Sequence, residues 1–152
     1  MALQFISNSG KVAIGQDDAT GERGILMKLL NKTGATTVKG MVIAADPDVD
    51  MAFEKQSSEY DAFGIVQEAG VADGSEAWIW LNGSIAEVLW KDGETATRAY
   101  VALCADTDGR AYNIAVPSGS PGIGDHWKEI GHVMESKSSG TDVLVRVHLH
   151  FN

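Results

Sequence analysis

Val143-Leu144-Val145-Arg146-Val147-His148-Leu149-His150-Phe151 decides how this chain is read. Apolar residues recur at every second position, Val143, Val145, Val147, Leu149 and Phe151, while Leu144, Arg146, His148 and His150 fall between them. Successive side chains of a β-strand point to opposite faces, so this alternation specifies a half-buried strand. Upstream, Ile130–Glu135 and a Lys137-Ser138-Ser139-Gly140 turn make a hairpin with it. An amphipathic helix carrying Trp127, Ile130, Val133 and Met134 competes for the same residues, but Gly131 weakens it and confines any helix to about Asp125–Glu129.

The same pattern extends towards the N-terminus. Glu76–Leu81 is aromatic and β-branched, Asn82-Gly83 supplies a turn pair able to adopt positive φ, and Ile85–Trp90 returns. Tyr100–Ala105, the Asp106-Thr107-Asp108-Gly109 turn and Arg110–Val116 read as another hairpin, as do Gly24–Leu30, Asn31-Lys32-Thr33-Gly34 and Val38–Ala44. Seventeen glycines and three prolines punctuate these short runs, which points to a mostly β, single-domain sandwich or barrel with at most one or two short helices. Residues 1–22 fit less well. Leu3, Phe5 and Ile6 precede a polar, glycine-containing run over Gly15–Gly21, so we expect an N-terminal arm that packs on a surface other than its own core, ahead of a β-rich domain spanning 23–152.

With 152 residues the chain is long enough for one core without staples. The single cysteine, Cys104, cannot close an internal disulfide. The first residues lack the pattern of a secretory signal, and no apolar run approaches the ~20 residues that span a bilayer; a soluble protein made in the cytoplasm, with no membrane partner, is expected. Twenty-one acidic against twelve basic residues give a net charge of −9, which repels a phosphate backbone and argues against nucleic acid as a partner.

Motifs for chemistry are incomplete. Asp46-Pro47-Asp48-Val49-Asp50 opens like a calcium loop, but Met51 stands where the sharp turn needs glycine and Ser57 where a bidentate glutamate belongs. Gly119-Ser120-Pro121-Gly122-Ile123-Gly124 has the glycine spacing of a phosphate loop, yet Asp125-His126 follows in place of Lys and Ser or Thr. The nucleophile elbow of α/β-hydrolases is missing from the sequence. No catalytic residue, cofactor or metal is therefore expected. His148 and His150 share one strand face about 7 Å apart, but a zinc site needs further ligands, and a polar strand face at a subunit contact or in solvent is the plainer reading. Trp78 and Trp80 also share a face, opposite Ala77, Ile79 and Leu81. They suit core packing, a subunit interface, or the sugar-stacking platform of a carbohydrate-binding β-sandwich, which is the alternative function.

Several stretches, in order, carry a resemblance: Asn31-Lys32-Thr33-Gly34 with Val38-Lys39-Gly40; Ala62–Gly70; Asn82–Val88; Thr107–Ala111; and Ile130-Gly131-His132 leading into Gly140–Val145. Across residues 24–152 the chain resembles the head decoration, or capsid cement, proteins of tailed phages, including the lambda-type head-stabilising group and uncharacterised domains encoded beside major capsid genes. The resemblance implies a β-tulip-like fold, a homotrimer, docking at threefold or quasi-threefold positions on the capsid exterior, and no enzymatic activity. The major capsid protein is then the partner and the virion the location. Leu3, Phe5 and Ile6 become candidates for the capsid contact, and Trp78, Trp80, His148 and His150 candidates for the subunit interface.

Overall fold

The computed structural model describes residues 3–58, 60–105, 109–115 and 122–152. The predicted turn at Asp106-Thr107-Asp108, the end of the predicted strand at Val116 and the Gly119-Ser120-Pro121 part of the glycine-rich motif lie outside the described residues. The chain is mostly β and has one short helix: β1 (Gln4–Asn8), β2 (Val12–Asp17), β3 (Glu22–Asn31), β4 (Val42–Ala45), β5 (Ala52–Lys55), β6 (Ala62–Val66), β7 (Glu76–Trp80), β8 (Ile85–Leu89), β9 (Val101–Cys104), β10 (Ala111–Ile114), α1 (Ile123–Lys128), β11 (Glu129–Val133) and β12 (Leu144–Leu149).

The strands form one sheet that closes on itself. From β3 it runs through β5, β4, β6 and β7, and β7 pairs back onto β3. Each of these five strands contributes to one apolar cluster, with Leu29, Ile43, Phe53, Val66, Ala77 and Ile79 among its members. The other path from β3 runs through β8, β12, β11, β9 and β10. A second cluster joins the two parts, uniting Leu26, Val42, Ile65, Trp78 and Trp80 of the ring with Val88, Trp90, Ile130, Val145, Val147 and Leu149. The C-terminal alternation is realised as read: Val145, Val147 and Leu149 are buried, Val143 and Phe151 pack partly against them, and His148 is exposed. β11 pairs with β12 as expected, Gly131 opposite Leu149 and Val133 opposite Val147. The β9–β10 hairpin also forms, with Ala111 opposite Cys104 and Ile114 opposite Val101.

Two predicted hairpins do not form. β3 and β4 are not neighbours, because β4 lies between β5 and β6. Buried Asn31 ties the intervening segment elsewhere: its Nδ2 donates to the carbonyls of Ala35 and Val71, and its Oδ1 accepts from the Thr33 amide. Thr37 continues that seam with backbone bonds to Val71 and Gly70. Nor does Asn82-Gly83 fold β8 back on β7. Both strands run antiparallel along β3, Trp80 opposite Leu26 and Ile85 opposite Arg23, so the stretch between them bulges. Ser84 Oγ fills the break by accepting from the Ile25 amide at 3.0 Å, and Gly83, at φ +85°, donates its amide to Leu149 O. β8 then leaves β3 and joins β12 over Ile85–Leu89.

The N-terminal segment is part of the sheet. β1 and β2 form a hairpin, and β2 pairs with β3 from Val12 opposite Met27 to Asp17 opposite Glu22. Where the sequence suggested an arm seeking another surface, Ala13 is buried and Leu3 packs on the main core. The turn after β2 is closed by Asp17, whose Oδ1 accepts from the Ala19 amide and whose carbonyl accepts from that of Gly21. Below it, Glu22 is fully buried and fully bonded: Oε1 accepts from Trp80 Nε1 at 3.1 Å and the Glu87 amide at 3.0 Å, and Oε2 from Lys39 Nζ at 2.5 Å and Thr20 Oγ1 at 3.0 Å. Burying a carboxylate is tolerable only with such complete pairing.

Candidate functional site

Among the described residues, the N-terminal hairpin and β3 carry an uncovered apolar face. Side chains at alternate positions of a strand share a face, so Val12 and Ile14 stand together on β2 and the pairing of Ile14 with Ile25 adds β3. Val12, Ile14 and Ile25 are 43%, 48% and 45% exposed. Among the described residues β1 pairs only with β2, which leaves its other edge open, and a register shift between Phe5 and Ser7 interrupts it. Ile6 sits at that irregularity and is 67% exposed.

The three predicted contact residues therefore separate. Ile6 and Phe5 stay exposed, at 67% and 42%, although Phe5 also sets its ring 5.1 Å from that of Trp78, whereas Leu3 packs on the core. Val12, Ile14 and Ile25 were not singled out from sequence. The available signal was the apolar alternation Val12, Ile14 within a stretch read as arm.

Trp78 and Trp80 belong to the chain's own core. Trp80 is wholly buried and Trp78 is 8% exposed, covered by Phe5 and by Lys28 Nζ at 5.1 Å from its ring centroid. Both faces of β7 carry core, Ala77 and Ile79 on one side and the two tryptophans on the other. Of the readings the sequence left open, the pair takes the core-packing one within this chain, and the face that a sugar platform requires is filled by protein.

The histidines converge differently from the sequence pairing. His148 is exposed and lies opposite His132 in the β11–β12 ladder. His150, the next position on that face, meets His132 instead: His150 Nε2 lies 2.8 Å from His132 Nδ1 and 3.0 Å from Glu129 Oε1. His126 Nδ1 comes within 3.8 Å of the other carboxylate oxygen, and Asn152 Nδ2 donates to that oxygen at 3.3 Å. Burial pushes the His150 imidazole below its ordinary range; Glu129 opposes that shift, and His132, His148 and His126 reinforce it. Glu129 was not foreseen, since residues three apart on a regular strand face opposite ways.

Further along the same sheet, Glu135 takes the guanidinium of Arg146 at 2.7 Å and 3.1 Å and its amide at 2.9 Å. The acidic loop after β4 is a solvated turn in which Asp46 Oδ1 accepts from the amides of Asp48 and Val49. Cys104 is buried. No protein-family model matches the chain, and no curated protein matches it.

Proposed function

We propose that this chain is a virion structural protein of a tailed phage, which docks as a homotrimer at threefold or quasi-threefold positions outside the assembled head and stiffens it through contact with the major capsid protein. The observation that carries this reading is the uncovered face of Val12, Ile14 and Ile25 beside the open edge of β1. Trp80, Trp90 and Phe53 are buried in the core, whereas Ile14 and Ile25 face each other across β2 and β3 in the open, and contiguous exposed apolar surface marks interaction sites. An unpaired strand edge adds main-chain donors and acceptors that can receive a partner strand. The sequence resemblance supplies the identity of the partner.

Stiffening follows from binding alone. A ligand of the assembled lattice that ignores dissociated subunits stabilises the lattice by mass action. A trimer engages several capsid subunits together, so modest contacts act through a high effective concentration. The net charge of −9 keeps the unbound protein soluble. The test is co-sedimentation with shells assembled from the major capsid protein encoded in the same genome. The wild type is expected to pellet with shells and Ile14→Asp/Ile25→Asp to remain in the supernatant, with unchanged far-UV circular dichroism. Equal pelleting of both, or of neither, would remove this face from the docking role.

A further inference from the structure

Glu129 and His132 are three residues apart on β11, a spacing that puts side chains on opposite faces of a regular strand. Here the β9–β11 register shifts between Glu129 and Gly131. The extra residue turns Ile130 into the core and leaves Glu129 and His132 on the outer side with His150. Gly131 makes the bulge possible. Its φ is +151°, and a Cβ there would lie 2.1 Å from the His148 carbonyl oxygen. One ligand-type atom from each of Glu129, His132 and His150 then falls within 4.8 Å of the others.

We propose that Glu129, His132 and His150 form a binding site for a divalent transition ion of the zinc class. Two imidazoles and one carboxylate suit a borderline ion, whereas calcium and magnesium call for oxygen ligands throughout. A tetrahedral ion with bonds of about 2.0–2.1 Å spaces its ligand atoms about 3.3 Å apart. The carboxylate to His150 separation is 3.0 Å and the imidazole to imidazole separation 2.8 Å, so these two edges open by about half an ångström to admit the ion, and the third, from His132 to Glu129, lies within 4.8 Å. Two ring nitrogens that close share a proton between them, and the ion replaces it. The second sphere is also present: Asn152 Nδ2 donates to the carboxylate oxygen that faces away from His150, the kind of bond that orients a ligand. The side chains of His132 and His150 are 47% and 35% exposed, which gives an ion access and leaves a fourth position to water. Such an ion would clip the end of β12 to the start of β11. This proposal does not depend on the capsid reading.

The test is zinc chloride titration of the full chain by calorimetry, with cobalt(II) as a spectroscopic stand-in. One zinc per chain is expected, with a rise in thermal midpoint and the visible bands of a low-coordinate cobalt site. Glu129→Gln, which preserves shape, and His132→Ala should each weaken zinc at least about tenfold, as ligand-sphere losses do. His148→Ala should bind as the wild type does, and magnesium should neither bind nor compete. No zinc uptake by the wild type, uptake unaffected by Glu129→Gln, or equal loss in His148→Ala would each overturn the assignment.

Discussion

At the scale of single residues, stability rests on a few saturated polar groups. Glu22→Ala removes the acceptor of Trp80 Nε1 and of the Glu87 amide together with the partner of Lys39. Breaking a buried pair from one side costs about 3–5 kcal/mol, and Lys39 retains Glu87 at 3.5 Å, so the lower end of that range is expected in a denaturant titration. Glu22→Gln keeps an acceptor oxygen and should lose less. Glu135 gives a pH signature. Its burial opposes ionisation, but the Arg146 side chain and amide and the Lys137 ammonium outweigh that and hold the carboxyl at about 2, against an ordinary 4.5. A carboxyl depressed in the folded state stabilises above its unfolded pKa and loses that contribution as pH falls to the folded one. The thermal midpoint of the wild type should therefore fall from about pH 4.5 towards 2, and Glu135→Gln, lower at neutral pH by about 1–2 kcal/mol in stability, should converge with it at the acid end. Neither site was legible in the sequence. Glu22 and Glu135 are ordinary acidic residues there, and their partners at Trp80, Glu87 and Arg146 come together only in the folded sheet.

At the scale of elements, what could be read was local and what could not was set by distant partners. β12 is visible in Val143–Phe151 because the period of two is complete within one strand. β9 with β10, and β11 with β12, follow from the same kind of signal. Asn82-Gly83 reads equally well as a hairpin turn or as a bulge, and the choice is made by β3, which offers both β7 and β8 the same edge. Asn31 likewise sits in a good turn sequence, yet its side chain bonds to Val71, forty positions away. The outward set of Glu129, His132 and His150 was hidden by the bulge, whose only trace in the sequence is Gly131, the residue that also argued against a helix. The N-terminal hairpin yields a prediction of its own. Removing residues 1–10 takes away Leu3 and Phe5, so Trp78 should become wet and its fluorescence shift to longer wavelength, while the far-UV spectrum stays close to that of the full chain. Removing residues 1–17 also deletes β2, with buried Ala13 and six pairings to β3, and should lower the thermal midpoint markedly. Equal midpoints for the two truncations would mean that β2 contributes nothing to the fold.

For the molecule as a whole, the closed ring and the second cluster hold the buried core, while Val12, Ile14 and Ile25 lie outside it on the paired strands β2 and β3. Ile14 and Ile25 face each other across β2 and β3, so paired aspartates carry a like-charge cost of up to about 1 kcal/mol, and single Ile14→Thr and Ile25→Thr variants, which keep β propensity, separate docking from folding. In solution, light scattering across the micromolar range should give the mass of a trimer, and a monomer throughout would restrict trimerisation to the capsid surface. The most direct measurement is an electron cryomicroscopy reconstruction of shells incubated with the full chain. Trimeric density is expected at the threefold or quasi-threefold positions, with the β1–β2 hairpin turned towards the shell. Bare shells at saturating protein, or density bound through the β11–β12 end with the hairpin facing solvent, would contradict it.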